Sequence, residues 1–206
     1  MKKVAVTLLS LLFLFSATAC SNQSSKSEQP SQPVELVKVK ADIVKDKSIS
    51  GTTIETEGKD KGKEYVPTTL MYDIKLKNIT NKKIGGTPKN SIEVEIVAKD
   101  KLRKTMKDAI GLNIFDEQEY IDSDIGGIGY GTSFDGGLDP KQKGNYQLNY
   151  ELGFDGKEKT DKQVYAQTPS KETLDKIKEE AFDATLVVKE GKKKIAEFDL
   201  NKFDRK

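Results

Sequence analysis

Four segments alternate apolar and polar residues with a period of two, and this pattern constrains the fold more than any other feature of the chain. Val37, Val39, Ala41 and Ile43 alternate with Lys38, Lys40 and Asp42. Leu70, Tyr72, Ile74 and Leu76 alternate with Met71, Asp73, Lys75 and Lys77. Ile92, Val94, Ile96 and Ala98 alternate with Glu93, Glu95 and Val97, and Tyr146, Leu148, Tyr150 and Leu152 with Gln147, Asn149 and Glu151. Successive side chains of a strand point to opposite faces, so each segment has one face to bury and one to leave in water. Residues 185–189 and 195–200 flank a Glu-Gly-Lys-Lys-Lys turn and read as a hairpin. Antiparallel sheets with one wet face follow, and seven or eight such strands argue for a β-sandwich. One short helix is expected just before the hairpin, with Thr168 as its cap, Pro169 in its first position and Leu174, Ile177 and Ala181 on one face.

The N-terminus is a targeting segment and not part of this fold. Lys2 and Lys3 precede a mostly apolar run over residues 4–16, and the small residues Ala17, Thr18 and Ala19 lead into Cys20, the only cysteine. The run is too short to span a bilayer, which takes about 20 apolar residues. Cleavage just before a cysteine resembles the bacterial lipobox, and the resemblance implies that Cys20 is lipidated and begins the mature protein. Two acyl chains give the stable anchoring that one does not. Residues 1–19 are thus expected to be a lipoprotein signal peptide, and 20–33 a lipidated cysteine with a disordered tether, in which proline is the only apolar side chain after Cys20. Residues 34–206 form a single ectodomain on the extracytoplasmic face of the cell membrane.

Composition excludes several function classes. Of 35 basic residues, Lys2 and Lys3 leave with the signal, so 33 basic face 33 acidic in the mature chain. Nucleic-acid binding needs an excess of cations, preferably arginine, and Arg103 and Arg205 are the only arginines. There is no histidine and no thiol besides Cys20. Cys/His zinc sites, Cys-His pairs and Ser-His-Asp triads therefore cannot be built. No Ser-x-x-Lys nucleophile or P-loop occurs, and an enzyme is not expected. A two-domain solute-binding subunit is disfavoured by a domain of this length.

Residues 72–84, Tyr-Asp-Ile-Lys-Leu-Lys-Asn-Ile-Thr-Asn-Lys-Lys-Ile, resemble the strand-then-Asn turn of immunoglobulin-like domains carried by many Gram-positive lipoproteins of unknown function. Leu138-Asp139-Pro140, leading into the strand with Tyr146, is similar to their Leu-x-Pro-Gly turn, with Lys141 in place of the glycine. The resemblance implies an immunoglobulin-like sandwich serving as a binding or spacer module, with no catalytic residues to carry over. Together with the helix read above, the expected fold is mainly β, an antiparallel immunoglobulin-like β-sandwich with one short helix near the C-terminus, acting as a binding or accessory module.

Residues 108–140 contain no lysine or arginine and eight acids: Asp108, Asp116, Glu117, Glu119, Asp122, Asp124, Asp135 and Asp139. Six glycines lie between 126 and 137, interleaved with aromatic residues. Three readings stand side by side. The stretch is a solvated loop whose aromatics tuck under the sandwich and whose glycines supply positive φ angles at turns. Or it holds Ca²⁺ in an irregular carboxylate site drawn from Asp116, Glu117, Glu119, Asp122 and Asp124, serving adhesion or structure. An EF-hand is excluded, because Gly126 and Ser133 stand where the fifth and twelfth ligands belong. Or it is a surface for a cationic protein, peptide or cell-wall component, with Phe115, Tyr120, Tyr130 and Phe134 as anchors among the acids. The string Gly126-Gly-Ile-Gly-Tyr-Gly131 is not in register with a dinucleotide fingerprint. The lysine runs at 59–63 and 192–194 are expected in exposed hairpin turns.

Overall fold

Seven long strands carry the alternating segments: β1 (Val34–Val44), β2 (Thr69–Asn78), β3 (Ile92–Ala98), β4 (Ile128–Phe134), β5 (Lys143–Leu152), β6 (Ala184–Glu190) and β7 (Lys193–Asp199). The structure, a computed structural model, describes residues 32–56, 58–123, 125–126, 128–156 and 164–203. Cys20 and the signal lie outside them, as does most of the expected tether.

The strands form two antiparallel sheets. One has the order β1-β2-β5-β4 and the other β7-β6-β3. Their inward faces share one apolar core, consistent with a β-sandwich. Leu70, Tyr72, Ile74 and Leu76 of β2 are wholly buried, as are Ile92 and Ile96 of β3 and Leu152 of β5. Tyr72 does more than fill space. Its Oη donates to the Ala181 carbonyl at 2.7 Å, and its ring meets that of Tyr150 edge-on at 6.1 Å. Burial pushes its hydroxyl pKa well above the ordinary value.

Strand β1 differs from the simple alternation. Val34 and Leu36 face the core, then the register with β2 slips between Leu36 and Lys38, and Val39 returns inward. Val37 is the extra residue of a β-bulge and is only half-buried. The bulge reconciles two hydrophobic phases that cannot share an uninterrupted strand.

The helical content exceeds the single helix expected. Helix α1 (Asp100–Ile110) buries Leu102, Thr105, Met106 and Ile110, and Gly111 ends it in the left-handed region at φ 84°. A one-and-a-half-turn helix, α2 (Glu117–Ile121), follows. Helix α3 (Lys171–Glu180) precedes β6, but its cap is Ser170, whose Oγ accepts from the Thr173 amide at 3.2 Å. Thr168 is not the cap; its hydroxyl is bonded to that of Thr68 at 3.1 Å. Helices α1 and α3 pack together, and Leu102, Met106 and Ile177 join the sandwich core. Among the described residues no helix is long and apolar enough to cross a membrane.

The turn after β2 is organised by Asn78, which is fully buried. Its Nδ2 donates to the carbonyls of Lys82, Leu138 and Asp139 at 2.7, 3.0 and 3.2 Å, and its Oδ1 accepts from the amide and hydroxyl of Thr80. One side chain thus joins the β2–β3 connection to the β4–β5 connection. Lys141 stands at φ 64°, the only non-glycine residue with positive φ among those described. Replacing Asn78 with Ala strands buried carbonyls, each costing about 1–3 kcal/mol. A urea denaturation series is expected to show a loss of roughly 3 kcal/mol or more. Asn78→Asp, which keeps the shape but removes the donors, is expected to be no better.

Candidate functional site

An open sandwich leaves an edge strand at each side of each sheet. β3 pairs only with β6, and β4 only with β5, so among the described residues each has one edge without a strand partner, although on β3 the Ile92 amide donates to the Gly136 carbonyl and the Ile96 backbone bonds to Tyr150. The connection between them runs along this open side. Gly111 ends α1, Leu112 and Ile114 turn inward and are buried, and Phe115 is half-buried against the core. A cleft of about 390 Å³ remains between β3, β4 and this connection.

Its floor is apolar. Leu148 and Tyr150 of β5, Val94 of β3, Ile114 and Phe115 line it, with the Phe115 and Tyr150 rings 4.6 Å apart. Burial raises the pKa of Tyr150, so its hydroxyl stays neutral at physiological pH. Tyr130, 49% exposed, stands at the mouth, and Tyr120 meets its ring edge-on at 5.8 Å. The rim is polar and mostly acidic: Glu93 and Glu95 of β3, Glu117 of α2, Thr132 of β4 and Lys189 of β6. Lys189 Nζ lies 2.5 Å from Glu95 Oε2. Three carboxylates against one ammonium leave the rim negative.

The acids expected to bind metal hold the scaffold of this cleft. Asp116 caps α2, its Oδ1 accepting from the amides of Gln118 and Glu119 at 3.0 and 3.2 Å. Glu119 pins α2 to α1: one oxygen lies 2.7 Å from Lys107 Nζ and the other accepts from the Asn113 amide at 2.9 Å. The Lys107 contact lowers the pKa of Glu119. Both oxygens of Asp122 accept from Gln118 Nε2 at about 3 Å. Glu117 lines the cleft, and Asp124 lies outside the described residues. Among the described residues, no three acids gather as a group that could hold an ion.

The stretch 108–140 is therefore not one long loop. It comprises the end of α1, all of α2 and the edge strand β4. The expectation that its glycines supply positive φ fails for the described ones apart from Gly111. Gly137 serves a close approach instead: a Cβ there would lie 2.6 Å from the Gly86 backbone, where residues 84–85 pair with 137–138. The linear block of acids is also broken up in space, since Asp108 pairs with Lys104, Glu119 with Lys107 and Asp139 with Lys83.

Of the expected aromatic anchors, Phe115 and Tyr130 line the cleft and Tyr120 supports Tyr130; the Phe134 side chain lies outside what is described. Glu93, Glu95, Leu148, Tyr150 and Lys189 also line the cleft and were not legible as candidate site residues in the sequence. Their one signal was the acid pair Glu93-x-Glu95 on the wet face of a strand.

No protein-family model, curated protein or solved structure matches the chain.

Because Asp116, Glu119 and Asp122 already accept hydrogen bonds that position α2, thermal melts in EDTA and in millimolar Ca²⁺ are expected to coincide. A bound ion at 100 times its dissociation constant adds about 2.7 kcal/mol. A Ca²⁺-specific rise lost in Asp122→Ala would restore the metal reading.

Proposed function

We propose that this protein is a lipid-anchored, extracytoplasmic binding module on an immunoglobulin-like sandwich, and that it takes an extended cationic peptide segment in the cleft between β3 and β4. The observation carrying this reading is the cleft itself: an apolar floor of Leu148, Tyr150, Ile114 and Phe115 beneath a rim of Glu93, Glu95 and Glu117. The floor offers packing to apolar side chains, the rim attracts lysine or arginine, and the edges of β3 and β4 offer their remaining backbone groups to an added strand. Supporting the immunoglobulin-like assignment, numbering the long strands A to G in chain order gives sheets A-B-E-D and G-F-C, the order of constant-type immunoglobulin domains. The module is non-catalytic, in keeping with a chain that has no histidine and whose only cysteine is Cys20.

A ten-residue peptide alternating lysine with leucine is a direct probe. It is expected to bind the soluble chain with an affinity that falls as salt rises. Changing Glu93→Gln and Glu117→Gln together should weaken it about tenfold and flatten the salt dependence. Tyr130→Ala should weaken it without altering the salt slope. Affinity unchanged in both variants, with melting temperatures intact, would sink the cleft as the site. The anchor is checked separately by metabolic labelling with an alkyne fatty acid: Cys20→Ser should lose both the label and the membrane fraction, and a label retained by that variant would refute lipidation at Cys20.

A further inference from the structure

The chain joins the domain at one end of the sandwich. Gln32 bridges to the free edge of β7, its Oε1 accepting from the Glu197 amide at 2.9 Å and its Nε2 donating to the Glu197 carbonyl at 3.2 Å. The next residue, Pro33, accepts from the Ile79 amide at 3.0 Å, and Val34 pairs with Asn78. Gln32 and Pro33 thus lie beside the β2–β3 connection.

Three connections meet at this end: residues 79–91, 135–142 and 191–192. Ile84–Gly85 pairs with Gly137–Leu138, Glu190 accepts from the Gly85 amide, and the Gly191 amide donates to the Ser91 carbonyl. These connections hold Lys82, Lys83, Lys89, Lys141 and Lys192, all exposed, against two acids. Of the acids, Asp139 is paired with Lys83 at 3.1 Å and Asp135 accepts from the Asn145 amide. Lys143 and Lys193 flank them in exposed positions, and the one acid among the flanking residues, Glu190, is bonded to the Gly85 amide. Ile79 stands among the lysines with 40% of its surface exposed. At the opposite end, residues 45–68 carry five lysines and five acids, so the excess belongs to the end where the chain enters.

We infer that this lysine-rich end is a docking surface for an anionic lipid bilayer, against which it holds the ectodomain. Charge complementarity and chain length argue for this occupant. Eleven residues lie between Cys20 and Gln32, a reach of about 40 Å even at full extension, so the end that receives the chain is kept close to any surface that holds Cys20. Lysines near an anionic surface add their attractions, and Ile79 supplies an apolar side chain for the headgroup layer. The β3–β4 cleft opens along the side of the sandwich, between the edges of the two sheets, so it stays accessible in this orientation.

The inference rests on lipid anchoring at Cys20 for its orientation, but its test does not. Residues 20–206 with Cys20→Ser, never lipidated, contain the whole described core, which runs from Val34 to Leu200. This protein is mixed with vesicles of phosphatidylglycerol and phosphatidylcholine, or of phosphatidylcholine alone, and sedimented. It is expected to partition onto the anionic vesicles only, less so as salt rises. A variant with Lys82→Gln, Lys89→Gln, Lys143→Gln and Lys192→Gln should bind about tenfold more weakly. One with Lys47→Gln, Lys61→Gln, Lys171→Gln and Lys176→Gln should bind as the parent does. Equal loss in both variants, binding to both vesicle types alike, or binding to soluble polyphosphate without binding to vesicles would overturn the proposal. Lipidation is read independently from the fatty-acid label, so a failed anchor and a failed docking surface give different results.

Discussion

Two open sheets can hide their apolar faces against each other, but they cannot hide their edges, and this constraint shapes the molecule. Four strands are left as edges: β1 and β7 on one side, β3 and β4 on the other. The β1–β7 side is partly dressed by the chain itself, where the amide of Gln32 imitates a strand partner for Glu197. On the β3–β4 side the connection through Ile114 and Phe115 covers the core incompletely, and a cleft remains. The position of the candidate site follows from sheet geometry before any particular side chain is considered.

Buried polar groups then fix how the parts meet. Apolar faces specify that the sheets pack, whereas a buried donor with three carbonyl partners specifies where each turn must lie. Asn78 does this at one end, and Tyr72 does it near the middle by reaching the Ala181 carbonyl beyond α3. The candidate site depends on the same device. Asp116 and Glu119 spend their oxygens on the amides of α2 and of Asn113 and on Lys107, and this holds Glu117 at the rim. Asp116, Glu119 and Asp122, three of the acids named as candidate Ca²⁺ ligands, are in space also the fixings of a short helix.

The inward faces of β2, β3 and β5 were legible because their alternation is uninterrupted and tertiary contacts agree with it. β1 was legible only from Val39 onward, since a bulge resets the phase and no local signal marks Val37 as the extra residue. Helix α1 went unread although Leu102, Met106 and Ile110, spaced four apart, mark one helical face; they are three large apolar residues in a segment otherwise made mostly of charged ones. β4 was hidden by Gly129 and Gly131, which contribute no side chain to an alternating pattern; its partner β5 supplies the strand conformation by pairing Leu152 to Tyr146 with Ile128 to Phe134. Phe115 and Tyr130 stood out in the sequence as aromatics among acids and glycines, and both line the cleft. The floor beneath them was not legible, because the convergence of β5 with residues 114–115 is a long-range packing result. The salt bridges from Lys83, Lys104 and Lys107, all outside the acidic stretch, likewise have no signature in a linear charge count.

The central claim is that the β3–β4 cleft is the binding surface, and residue-resolved NMR of the ¹⁵N-labelled domain during titration with the lysine–leucine peptide tests it most directly. The account predicts concerted amide shifts in residues 92–98, 112–117 and 128–132, with Tyr150 beneath them, and little change in residues 79–91. Shifts confined to other acidic positions such as Asp46 and Asp155, or scattered evenly over the surface acids with the cleft silent, would contradict it.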